Sequence, residues 1–109
     1  MSLIKSPPTV YRWRTHQGEH VLPSEMETGH LVYSLRMVFN HTVPEEFRVP
    51  GGKRWADIDH WPADYLRASV KHLMEEAIKR KDLTAGHAAI LHGMRRGYIA
   101  LIGHRFANN

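Results

Sequence analysis

Polar and apolar positions alternate with a period of two over residues 10–15, with Tyr11 and Trp13 on one side and Arg12 and Arg14 on the other, the pattern of a half-buried strand. His16-Gln17-Gly18-Glu19 supplies a turn and His20-Val21-Leu22 a returning strand, so an antiparallel β-hairpin is expected over 10–22. The period then changes to helical. Ser24 with Glu27 three residues on has the order of a capping box, and Leu31, Val32, Leu35, Val38 and Phe39 form one apolar stripe. This predicts a helix over 25–41 lying across the hairpin, with His30 tucked against it in a structural role.

Residues 42–61 keep no period and carry Pro44, Pro50, Gly51 and Gly52, which makes a connection longer than most. Phe47, Val49, Trp55, Ile58 and Trp61 argue that parts of it pack down, with a turn or edge strand near Phe47 and an exposed tip at 50–54. A second helix is expected over 62–81, opened by Pro62 and helped by Asp59 at its cap. Its stripe is Leu66, Val70, Leu73, Met74, Ala77 and Ile78, and Glu75–Lys79 and Glu76–Arg80 are outer-face pairs. After an N-cap at Thr84, Ile90, Leu91, Met94, Tyr98, Leu101 and Ile102 line up for a third helix over 85–102. The Gly-flanked run 98–102 also reads as a buried strand. Gly93 and Gly97 allow close packing, expected against the second helix. Residues 1–9 are expected to be a flexible N-terminus.

The fold class is therefore α+β: one domain, an N-terminal antiparallel β-hairpin packed on about three α-helices, with a long loop between the first and second. At 109 residues, 42% hydrophobic and 24% charged, the chain has the balance of a globular protein rather than a disordered one. No apolar run approaches the length that crosses a bilayer. The first ten residues lack the apolar segment of a signal peptide, so the expected location is a cytoplasm. With no cysteine, disulfides, thiolate zinc sites and thiol chemistry are excluded.

Charge changes the picture more than composition does. Residues 1–61 hold seven basic and seven acidic side chains and residues 62–109 hold eight and four, so all of the +4 excess lies in the C-terminal half. Beyond Asp82 there is no carboxylate side chain. Lys53, Arg54, Arg95, Arg96 and Arg105 are the candidate contacts for an acidic protein surface. Arg12, Arg14, Arg95 and Arg96 are the candidates for the phosphates of a nucleic acid, the alternative partner.

Candidate chemistry is sparse, and no catalytic, cofactor-binding or metal-binding residue is assigned. His16 and His20 straddle the hairpin turn but supply only half of a tetrahedral site. His87, His92 and His104 do not share one helix face. Asp57, Asp59 and His60 form a carboxylate–imidazole cluster, and the order Asp59-His60-Trp61-Pro62 resembles the opening of an HNH nuclease motif. That motif needs a downstream Asn and His on a ββα unit, where here a long helix follows, so a metal-dependent hydrolase ranks last. Residues 50–54 lack P-loop spacing, and no G-x-S-x-G occurs. A helix-turn-helix over the last two helices would place Arg95 and Arg96 too late for base contacts, which favours an ordinary helical hairpin.

One segment carries a resemblance. Trp13-Arg14-Thr15-His16-Gln17-Gly18, then Met26-Glu27-Thr28-Gly29-His30-Leu31 and a later Met37, resembles a family of small phage and prophage proteins of uncharacterised function, with a W-x-T-x-x-G hairpin and an M-x-x-x-H-L helix. The likeness covers about the first 40 residues. It implies a phage accessory protein acting in the cytoplasm of a bacterial host. Such a protein would bind a host protein, a defence complex or nucleic acid without being an enzyme, and the family brings no catalytic residues. Homodimerisation through the apolar stripe of the third helix is a further expectation.

Overall fold

The computed structural model describes residues 10–52 and 56–107, and of 56, 57 and 104–107 the backbone only. The N-terminal expectation for 1–9 and the packing expected of Trp55 lie outside the described residues.

The hairpin forms where the alternation places it, but its paired part is short. β1 (Trp13–Arg14) and β2 (His20–Val21) run antiparallel, with Trp13 opposite Val21 and Arg14 opposite His20. Gly18 closes the turn at a φ of 87°, a value costly for any residue with a Cβ, and its amide donates to the Thr15 carbonyl. Trp13 is fully buried and Arg14 exposed, as the period requires.

The first helix starts later than the capping-box reading places it. Pro23–Glu25 forms a 3₁₀ turn, and the Glu25 carboxylate accepts the Leu22 amide at 2.8 Å. The reciprocal cap therefore sits two residues before Ser24–Glu27. α1 runs Thr28–Thr42 behind Glu27, whose side chain makes no capping bond. Leu31, Val32, Leu35, Val38 and Phe39 are all buried. His30 is exposed, which corrects the expectation that it is tucked against the hairpin.

α2 (Ala63–Ala77) and α3 (Ala85–Ala107) complete the fold. α1 is the central element, packed by α2 and by α3. On α2, Leu66, Ser69, Leu73 and Ala77 are buried, whereas Ile78, the C-cap, is 68% exposed. Pro62 occupies the N-cap without a side-chain bond of its own, and Asp59 faces His41 at 3.5 Å. Arg80 pairs with Glu76 at 2.9 Å, as the spacing predicts, while Glu75 meets His72 rather than Lys79.

α3 is helical straight through 97–103, which removes the strand reading, and it continues past 102 to Ala107. Thr84 does cap it. The Thr84 hydroxyl accepts the His87 amide at 3.1 Å, and His87 Nδ1 accepts the Thr84 amide at 3.3 Å. The stripe turns out narrower than its six residues. Met94 and Leu101 are buried, but Tyr98 is 57% exposed.

The long loop is part of the core, and this changes what packs on α3. Glu45–Phe47 and Ala56–His60 are 3₁₀ turns, and Val49 and Ile58 are buried. A Cβ at Gly97 would lie 2.6 Å from the Phe47 carbonyl oxygen, and one at Gly93 3.5 Å from Val49. The α3 glycines therefore admit the loop, not α2. The hairpin in turn leans its side chains on α2. The Tyr65 hydroxyl donates to the Arg12 carbonyl and accepts the Arg14 amide, and Tyr11 stacks on His72 at 4.7 Å.

Candidate partner-binding surface

α3 presents an outward face that is basic and partly apolar. His92, Arg95, Arg96 and Ile99 recur at i, i+3, i+4 and i+7 and are all exposed. Ile99 is 58% exposed and Tyr98, three residues beyond Arg95, is 57% exposed. The helix contains no Asp or Glu, and among the described residues neither Arg95 nor Arg96 is held in an ion pair. Two uncompensated guanidinium groups thus flank exposed apolar side chains on a rigid helix. Such a surface attracts carboxylates and offers area for burial beside them.

The other sequence-predicted contacts do not join this face. Lys53 and Arg54 lie outside the described residues, and of Arg105 only the backbone is described, near the end of α3. Arg12 and Arg14 are exposed on the hairpin, which rests on α2, whereas α3 packs on α1 and the loop. Arg14 lies 5.8 Å from the centre of the Trp61 ring, a cation–π contact. The four arginines of the nucleic-acid reading are therefore split between two elements with different neighbours.

The titratable clusters lie on the surface where their side chains are described. His16 and His20 are exposed in and beside the turn. Among the described residues no group of three His, Asp or Glu side chains is placed to hold a metal ion. Asp59 and His60 are exposed, and the Asp57 side chain is not described.

An open groove of about 450 Å³ runs between the hairpin and α2, lined by Tyr11, Leu22, Pro23, His72, Glu75 and Lys79 among others. Burial pushes the Tyr11 phenol well above its ordinary value, against the opposing pull of its hydrogen bond to Ser69 at 2.8 Å, so it stays a neutral donor.

One cation was missed by the sequence reading. Arg36 lies on α1 with its guanidinium 5.2 Å from the centre of the Tyr33 ring, beneath Gly51 and Gly52. A lone Arg on a helix between apolar positions gives no signal in sequence, since its neighbours come from a loop fifteen residues away.

No known protein family, curated protein or solved structure matches the chain. Among the described residues, no helix is long and apolar enough to cross a membrane.

Proposed function

We propose that this is a phage-encoded, non-enzymatic accessory protein that acts in the cytoplasm of a bacterial host by binding and modulating a host protein or protein complex. The outer face of α3 is its contact surface. The observation that carries this reading is the pairing of exposed Ile99 and Tyr98 with the unpaired cations Arg95 and Arg96 on an acid-free helix. Charge complementarity would steer an acidic partner onto the face, and burial of the two large side chains would hold it there. The likeness of 13–37 to phage proteins supplies the biological setting.

A second reading, nucleic-acid binding, is supported by Arg12 and Arg14 standing exposed beside the half-buried rings of Trp61 and Tyr65. Bases can stack and phosphates pair on such a surface. Self-association through Tyr98 and Ile99 is a third use of the α3 face, read out by sedimentation of the purified protein.

The test is co-purification from nuclease-treated host lysate with the tagged chain and its Arg95→Glu/Arg96→Glu variant. A stoichiometric protein partner held by the wild type, and at least ~ten-fold weaker with the variant at unchanged melting temperature, supports the leading reading. Recovery of nucleic acid alone without nuclease, lost between about 50 and 200 mM salt, would replace it with the second.

A further inference from the structure

Arg36 is half-buried, and its neighbours leave part of the guanidinium without a partner. Its Nε is enclosed and has no hydrogen-bond partner, and Nη1 reaches only the Pro50 carbonyl at 3.5 Å, the long end of the hydrogen-bond range. Among the described residues no carboxylate lies within ion-pair distance of it. A partly desolvated charge without a counter-charge is costly.

The surroundings fix the guanidinium in one place. The Tyr33 ring lies against it, and Tyr33 is itself held edge-on by His87 at 5.6 Å. A Cβ at Gly52 would stand 2.8 Å from Nε and one at Gly51 3.2 Å from Nη1. Both glycines adopt positive φ, 91° and 90°. Any other residue at either position would be strained, and at Gly52 it would also collide with the guanidinium. Two consecutive left-handed glycines thus let the backbone close over an arginine, and Asn40 anchors the loop just before them. The Asn40 side chain accepts the Val49 amide and donates to the Val49 carbonyl, both at 2.7 Å.

We propose that Arg36, stacked on Tyr33 beneath the Gly51–Gly52 backbone, is an oxyanion-binding site that takes a phosphate or carboxylate group through its Nη1–Nη2 fork. The planar fork matches two oxygens of such a group and is already oriented, so little side-chain freedom is lost on binding. The incoming charge supplies the compensation that the fold lacks. This site uses none of the α3 residues assigned to the partner surface, so either assignment can fail without the other.

The test is a titration of the ¹⁵N-labelled full chain with inorganic phosphate, at ionic strength held constant with chloride. Resonances of the Gly51 and Gly52 amides and of Arg36 Nε–H are followed. The expected result is a saturable shift of all three with one common midpoint. Arg36→Lys keeps the charge and loses the fork. It should bind at least ~ten-fold more weakly with the rest of its spectrum unchanged, as loss of one charge-assisted hydrogen bond implies. A parallel titration with acetate separates the two sources, since acetate saturation would extend the ligand class to carboxylates. Absence of saturation with both anions, or equal saturation in Arg36→Lys, would overturn the proposal.

Discussion

The Arg80 guanidinium, just beyond the end of α2, donates from Nη1 to the carbonyl of Met26, 54 residues earlier in the chain, at 2.8 Å. The same group donates to the Thr28 hydroxyl at 3.1 Å and to the Pro23 carbonyl at 3.0 Å, while Nε pairs with Glu76 at 2.9 Å. One arginine thereby satisfies carbonyls of the 3₁₀ segment that enters α1 and locks it to α2. This cross-link fixes the segment that leads into α1 against the end of α2. Arg80→Ala should cost about 2 to 3 kcal/mol, the scale of charged hydrogen bonds left unmade. Equilibrium urea unfolding measures it, and a loss below about 0.5 kcal/mol would show that water replaces the contacts.

Thr28 links this network to acid stability. Its hydroxyl donates to the Asp82 carboxylate at 2.7 Å, and that bond, more than any other influence, holds the Asp82 pKa below its ordinary value. The folded state thus favours the ionised form. Its contribution is fully present above the unfolded value, about 3.9, and is lost as pH falls through the lowered folded value. Melting temperature recorded from pH 5 downward should therefore fall more steeply for wild type than for Asp82→Asn. Parallel curves would remove Asp82 from the account.

Tyr65 guards the open edge of β1. Its hydroxyl takes the Arg14 amide at 2.9 Å and gives to the Arg12 carbonyl at 2.8 Å, substituting for a third strand. Tyr65→Phe should destabilise by about 1 to 2 kcal/mol through two unpaired backbone groups. Amide hydrogen exchange at Arg14 should accelerate with it. Unchanged exchange at Arg14 would count against the hydroxyl's role.

Gly97 is where α3 and the loop touch backbone to backbone. A methyl there would meet the Phe47 carbonyl oxygen at 2.6 Å, and a backbone atom cannot rotate away as a side chain would. Alanine ordinarily strengthens a helix by about 1 kcal/mol over glycine. Here Gly97→Ala should instead lower stability by about 1 to 3 kcal/mol, as overpacking does. Gly103, with open space around its Cβ position, is the control and should gain stability on the same change.

Much of this architecture was legible in one dimension because it rests on local periodicity. Trp13 and Arg14 fall on opposite sides of the sheet, the five-residue stripe of α1 is wholly buried, and Thr84 caps α3, each from spacing alone. Gly18 has to be the turn residue because its neighbours could not take its φ. The outward arginines of α3 were visible as a run without acids.

Tertiary structure decided the rest. Periodicity says that a face is buried but not what buries it, so the glycines of α3 were assigned to α2 when the Phe47 backbone meets Gly97 and the Val49 side chain meets Gly93. Spacing placed the cap of α1 at Ser24–Glu27, whereas the chain puts the reciprocal cap at Leu22–Glu25 and starts the helix at Thr28, with Arg80 tying that entry segment to α2. Arg36 and Asn40 were silent, since their partners, Tyr33 apart, come from the loop that had no period to read. Sequence alone determined which segments are helix and hairpin and which sides of them are apolar, because those follow from neighbours three or four positions away. Which element covers each side, and which polar groups are left without a counterpart, depended on contacts between residues far apart in the chain, and only the folded molecule brings those together.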